Sequence, residues 1–172
     1  MSLDSSSRSS FGLASAPRGL SDLSLKRLVT WGDHLKVDQQ QIDAQHEGIF
    51  GIAMEISDLW QRHGDLDQLK AVAEKLARVL EAHFRYEERQ LADIVYPKLV
   101  EHQAEHKVML DELQGIRNRL DRMGSGNVQM EPGFLVLSYI LGVTVGHIVH
   151  SDMDYGAFAR ASAGSRATWP TA

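Results

Sequence analysis

The chain has no cysteine among its 172 residues, so disulfides, thiolate nucleophiles and thiolate-held metals are excluded. It also lacks an apolar run of membrane-spanning length. The most apolar stretch, Phe134–Val149, is 16 residues long with Gly142 and Gly146 inside it, against about 20 residues for a bilayer. No core of seven apolar residues near the start suggests an export signal. Strict apolar–polar alternation is missing too, so no strand is expected. Nor is there a basic surplus in the body of the chain: residues 30–160 hold 13 basic and 21 acidic side chains, which argues against nucleic acid as a partner. With 43% apolar and 24% charged residues, a wholly disordered or collagen-like chain is excluded and one packed domain is expected. These absences together describe a soluble, cytoplasmic protein that binds neither nucleic acid nor membrane.

The organisation follows from composition and period. Residues 1–30, with six serines in the first ten and a small basic excess, read as a disordered tail whose protein partner is unknown. Residues 161–172, with Gly164 and Pro170, read as a frayed end. Between them the apolar positions repeat at helical spacing. A first helix, roughly Gln39–His63, has the seam Ile42, His46, Ile49, Ala53, Ile56 and Trp60. After His63-Gly64-Asp65 a second gives Leu69, Ala73, Leu76, Leu80, His83 and Glu87. Tyr96-Pro97 resets the chain. A third helix then runs Leu99, His102, His106, Met109, Leu113, Ile116 and Leu120 and ends at Gly124-Ser125-Gly126. The fourth opens after Glu131-Pro132, is apolar nearly all round, and carries His147, His150, Asp152 and Asp154 near its end. It is expected to be buried, with Gly142 and Gly146 permitting close helix contact. The cheapest way to bury four such stripes is an all-α, up-down-up-down four-helix bundle over residues 31–160.

The seams contain residues that do not belong in a core without partners. A single inward histidine is ordinarily a hydrogen-bonded core residue. Here His46, His83, Glu87, His102 and His106 fall on the seams of three different helices. The pairs His83/Glu87 and His102/His106 are each four apart, so each projects from one face about a turn apart. Left unpartnered, each buried group would cost roughly 1–3 kcal/mol or more, and bound metal satisfies them together. Five imidazoles and two carboxylates exceed one tetrahedral zinc and are too nitrogen-rich for calcium or magnesium. A pair of first-row transition ions remains, iron first. His34, His63 and His150 lack this seam support and are excluded as ligands; His34 and His63 are expected in solvent. In the last helix, His150 and Asp154 are the pair that helical spacing favours.

Gln45-His46, His83-Phe84-x-x-Glu87-Glu88, Tyr96-Pro97-x4-His102-x3-His106 and His147-Ile148-x3-Asp152-x-x-Tyr155 resemble, in order, the ligand blocks of the hemerythrin family, bacteriohemerythrin type. Trp31 and Val37 resemble its N-terminal arm, so the likeness covers about Trp31–Tyr155. The resemblance implies a non-haem di-iron centre with a bridging oxo or hydroxo group. It places His102, His106 and His147 on one iron, His46 and His83 on the other, and Glu87 and Asp152 between them. Choosing Asp152 over Asp154 requires a side chain reaching sideways or a local distortion of the helix, because residues five apart differ by about 140° on an ideal α-helix.

By the same resemblance the iron with two histidines keeps an open position for dioxygen, with Ile42, Phe50, Met109, Val143 and Thr144 as the expected pocket. Neutral imidazoles do not stabilise high-valent iron as further carboxylates would, which favours reversible binding over oxygenation. None of the ten glutamates has a histidine three residues later, so the Glu-x-x-His pattern of ferritin-like sites is absent. The expected function is carriage, storage or local delivery of oxygen, without enzymatic turnover. The alternatives are a sensor of oxygen, nitric oxide or redox state, and an enzyme acting on peroxide or nitric oxide at the same irons. Val143 and Thr144 stand where the family commonly has Trp-Leu, which implies a wetter pocket and faster oxidation of the irons. Thr144→Leu should therefore slow autoxidation of the oxygenated protein followed by visible absorption; equal rates in the two proteins would count against a wet pocket.

Overall fold

The computed structural model describes residues 30–124 and 130–162, without the side chains of residues 130, 131, 144, 145 and 162. The expected tails, apart from their inner ends, and the Ser125-Gly126 turn lie outside the described residues. A short 3-10 turn, Asp33–Leu35, precedes α1 (Gln40–Gln61), α2 (Leu66–Asp93) and α3 (Leu99–Asp121). The fourth bundle member is one continuous rod. It begins as α4 (Met130–Leu141), widens into a π-helical segment (Gly142–Asp152) and finishes as α5 (Met153–Ser162). Among the described residues there is no strand.

Local chemistry sets the helix ends. The Gln39 side chain accepts from the Ile42 amide at 2.6 Å and caps α1, while Asp65 caps α2 by accepting from the Asp67 amide. At the end of α1, His63 turns left-handed (φ 47) and the Gly64 amide closes back on the Leu59 carbonyl at 2.9 Å. The end of α2 repeats this device with Val95 (φ 56) and the Tyr96 amide on Leu91, after which Tyr96 turns inward and is buried. Pro132 sits inside the first turn of α4, which opens at Met130, three residues earlier than its sequence suggests. The first amides of a helix have no intrahelical acceptor, and proline loses nothing there.

The helices pack as a closed square: α1 against α2 and α4, α2 against α3, and α3 against α4. Short connections between successive helices make neighbours antiparallel. Every expected seam residue of α1 and α2 is buried except the half-buried Trp60, and on α3 only Leu99 and Met109 are half-exposed. The apolar core is split in two. A large cluster includes Phe50, Ala53, Ile56, Leu69, Leu76, Leu80, Leu113, Ile116, Leu137 and Val143. A smaller one joins Val37, Ile42, Leu91, Ile94, Tyr96, Tyr155 and Ala159. His46 on α1, His83 and Glu87 on α2, His102 and His106 on α3, and His147 and Asp152 on the fourth member occupy the level between them.

The fourth member corrects three expectations. Its Phe134, Ser138, Gly142, Gly146 and Val149 are exposed, so it presents an outer face like its neighbours. A Cβ built on Gly142 or Gly146 would meet nothing within 4 Å, so neither glycine makes a close helix contact. The glycine in close contact on this member is Gly156, buried with atoms of Val37, on the non-helical arm before α1, 3.1–3.3 Å from where its Cβ would lie. Finally, the helix over Pro132–Ala161 is 30 residues long and apolar enough to cross a membrane by length and composition. The sequence argument from a 16-residue run fails because the helix continues past that run. In the fold, 56% of the most apolar window of this helix is buried against the rest of the protein.

Two substitutions test these assignments by thermal or urea unfolding. Gly156→Ala should destabilise by about 1–3 kcal/mol through overpacking on Val37, whereas Gly146→Ala should leave stability unchanged or raise it by up to about 1 kcal/mol. The reverse ranking would place the tight contact at the wrong glycine.

Candidate metal centre

Seven side chains from four helical members meet at the layer between the two apolar clusters. His46, His83, Glu87, His102, His106, His147 and Asp152 are all at most 5% exposed. Their donor atoms form two groups, Glu87/His102/His106/His147 and His46/His83/Glu87/Asp152, within each of which all lie within 4.8 Å of one another. Glu87 belongs to both groups. Its Oε2 stands 3.1 Å from the Nε2 atoms of His102 and His106 and 3.9 Å from that of His83, while Oε1 lies 3.9 Å from His46 Nε2. Asp152 also faces both ways: Oδ1 is 3.1 Å from His147 Nε2 and 3.6 Å from His102 Nε2, and Oδ2 is 3.2 Å from His46 Nε2.

The π-helical segment explains how Asp152 gets there. In a π-helix the hydrogen-bond partner is itself five residues away, so side chains at that separation come to the same side. His147 and Asp152 thus converge, although α-helical spacing would set them apart. Asp154, the α-helical candidate, is exposed and accepts from Tyr96 Oη at 2.8 Å and Lys98 Nζ at 2.7 Å. His34 and His63 are exposed as expected, and His150 is exposed too.

A second ring of residues aims the imidazoles. His83 Nδ1 donates to Gln45 Oε1 at 3.0 Å, His106 Nδ1 to Glu88 Oε1 at 2.8 Å, and His147 Nδ1 to Glu105 Oε2 at 3.1 Å. Ser151 Oγ donates to the same Glu105 oxygen at 2.7 Å. With Nδ1 donating to an outer acceptor, each Nε2 is the nitrogen turned inward, the one free to give its lone pair to a metal once it is unprotonated. The buried Tyr155 hydroxyl donates to Glu87 Oε1. Sequence reasoning assigned no such role to Gln45, Glu88, Glu105, Ser151 or Tyr155. Gln45, Glu88, Glu105 and Ser151 each adjoin a candidate ligand in the chain, and Gln45, Glu88 and Tyr155 fall within the quoted family blocks, which are the signals that could have found them.

The charges are those of a site built for cations. Burial alone would raise the Glu87 pKa, but His83 and the hydrogen bonds from His102 and His106 hold it well below the carboxylate range. Burial and Glu87 both push Asp152 up; His147 and His46 outweigh them and keep it ionised. Burial, aided by His46 and only partly opposed by Glu87, lowers His83 to about 4. Burial would also lower His147, but Asp152, Glu87 and Glu105 carry it to about 9. Two ionised carboxylates thus lie in the core, where uncompensated charge costs several kcal/mol each.

The residues fit a pair of metal ions on two observations. His46 Nδ1 and Nε2, His83 Nε2 and both Asp152 oxygens are buried without a hydrogen-bond partner, and polar atoms are rarely left in that state. His106 Nε2 and His147 Nε2 face each other at 3.0 Å. With both Nδ1 atoms engaged outward, these two nitrogens converge on one point, a position that a proton fills in the free protein and that a cation between or beside them would take.

The expected pocket is only partly assembled. Phe50 and Val143 are buried and Met109 half-buried in the large apolar cluster. Ile42 belongs to the small cluster beyond the histidine layer, because it precedes His46 by one helical turn whereas Phe50 follows it by one. Ile42 and Phe50 thus pack in different apolar clusters. Trp31 borders this side instead, with its ring centroid 5.9 Å from His46 and 5.5 Å from Phe50. The Thr144 side chain lies outside the described residues.

Removing an outer partner should loosen the metal without unfolding the bundle. Glu88→Ala is expected to weaken divalent-metal affinity, measured by competition with a chelator, by about 10–100-fold while far-UV circular dichroism stays unchanged. Unaltered affinity would mean that Glu88 does not orient His106.

The comparisons agree with this geometry. The family model described as Hemerythrin HHE cation binding domain matches residues 37–159. A bacteriohemerythrin from Campylobacter jejuni subsp. jejuni is 29% identical over 82 residues, 48% of this chain and 62% of the relative's length. A bacteriohemerythrin from Clostridium acetobutylicum is 24% identical over 132 residues, 74% of this chain and 98% of the relative. The chain thus spans less than two thirds of the Campylobacter relative it matches and nearly all of the Clostridium one. With that match over most of the bundle and two histidine–carboxylate groups sharing Glu87, the chain belongs to the hemerythrin HHE cation-binding domain family.

Proposed function

We propose that the protein holds two iron ions and binds dioxygen reversibly, for carriage, storage or local delivery. The observation that carries this reading is the asymmetry of the two donor groups. One supplies three histidines, the other two, with Glu87 common to both and Asp152 reaching each. Three histidines and two carboxylates nearly fill the surroundings of one ion; two histidines leave the second with room for a small ligand. Such a pair of irons, bridged by an oxo or hydroxo group, would supply the electrons and the vacant position that amino-acid side chains lack.

The chain's own residues then set the conditions. His46 and His83 would hold the less crowded ion, with Phe50, Val143 and Trp31 providing apolar cover on that side. Gln45, Glu88 and Glu105 fix the rings of His83, His106 and His147. Tyr155 keeps its proton, since burial and the nearby Glu87 and Asp152 raise its pKa well above the usual value, so it acts as a donor to Glu87.

The reading as a binder and not an enzyme is supported by how the surrounding acids and bases are used: the carboxylates and tyrosine nearest the cluster are ligands or are hydrogen-bonded to ligands. The burial of most of the long apolar helix window supports a soluble, cytoplasmic protein.

The test is to quantify metal in the anaerobically reduced full chain, admit oxygen in a stopped-flow cell, and then purge with argon. Two irons per chain and a visible absorption band that appears with oxygen and disappears under argon are expected. Irreversible oxidation in the first exposure, or catalytic consumption of added peroxide, would contradict the carrier reading.

A further inference from the structure

The seven candidate ligands are buried, so an ion must cross the protein wall to reach them. A cleft of about 340 Å³ opens against one of them: His102 forms part of its wall, beside Glu101, Glu105, His150 and Asp154. Two other surface cavities among the described residues, one including Lys70 and Asp121 and one including Gly51 and Arg62, touch none of the seven. Three carboxylates face one ammonium in the cleft, that of Lys98, and Lys98 is already held by Asp154. The cleft therefore favours a cation.

His102 differs from its neighbours in a way that points into this cleft. It is 4% exposed, and its Nε2 faces Glu87 at 3.1 Å. Its Nδ1, however, has no protein acceptor among the described residues, whereas His83, His106 and His147 are each anchored at Nδ1. Of the five candidate-ligand imidazoles, the one that lines the cleft is thus also one whose ring no outer partner holds among the described residues. Glu105, across the cleft, reaches the cluster as well, through His147.

We propose that this cleft is the route by which a divalent cation, ferrous iron above all, reaches the buried centre. The rim of Glu101, Glu105 and Asp154 draws the ion in, and His102 passes it from the cleft to Glu87. This rests on the reading of the seven residues as a metal centre. It adds the path, and it makes the uptake rate, separately from final occupancy, a property of residues that are not ligands.

The experiment mixes the metal-stripped full chain with Co²⁺ in a stopped-flow cell and follows the visible absorption of the bound ion. Glu101→Lys should slow uptake about tenfold, and Glu101→Gln by a smaller factor. Both should finish at the wild-type stoichiometry and spectrum. Glu55→Lys makes the same charge change on α1, across the bundle from α3, and should alter the rate less than about twofold. The wild-type rate should fall with added salt, and that of Glu101→Lys should fall less. Equal rates for wild type and Glu101→Lys, with Co²⁺ fully bound, would overturn the route and leave the metal centre standing. Equal slowing by Glu55→Lys would also overturn it, since net charge alone would then explain the effect. Failure of the wild-type chain to bind Co²⁺ would overturn both.

Discussion

Two ionised carboxylates buried among five imidazoles form the interaction on which the rest of this structure depends. Glu87 and Asp152 are fully buried, and each faces histidines from more than one helix. No arrangement of apolar side chains can compensate that charge, so all four helical members must present their polar residues at one level. The division of the core into two clusters follows directly. So does the antiparallel order, which brings the start of α3 and the end of the fourth member to the level of α1's start and α2's end.

The demand for Asp152 at this level distorts the fourth member. An unbroken α-helix would turn either His147 or Asp152 away from the centre; eleven residues of π-helix, Gly142–Asp152, bring both in. The exposed glycines at 142 and 146 lie within that segment. Their low helix propensity makes departure from α geometry less costly there, a more economical account of these glycines than helix contact. The N-terminal arm then locks the far end, with Val37 against Gly156, the Val37 amide on Asp43 at 2.8 Å and Arg160 on Asp38 at 2.9 Å.

Much of this was legible in the chain because helical period and donor chemistry are local. The seams of α1, α2 and α3 placed His46, His83, Glu87, His102 and His106 inward from spacing alone, and the structure brings them together. Asp152 was not legible from spacing, since the period that reveals a seam assumes the α-helix that this segment abandons. Family resemblance supplied it. The outer partners Glu105 and Ser151 were hidden for another reason. They read as ordinary exposed polar residues, and only the assembled bundle brings them to His147.

The central claim is that two ions share Glu87. Crystals of the iron-loaded protein, measured with anomalous scattering at the iron edge, would test it most directly. The account predicts two anomalous peaks with the Glu87 carboxylate between them, one surrounded by His102, His106 and His147 and the other by His46 and His83. A single peak at full occupancy, or two peaks of which only one touches Glu87, would contradict it.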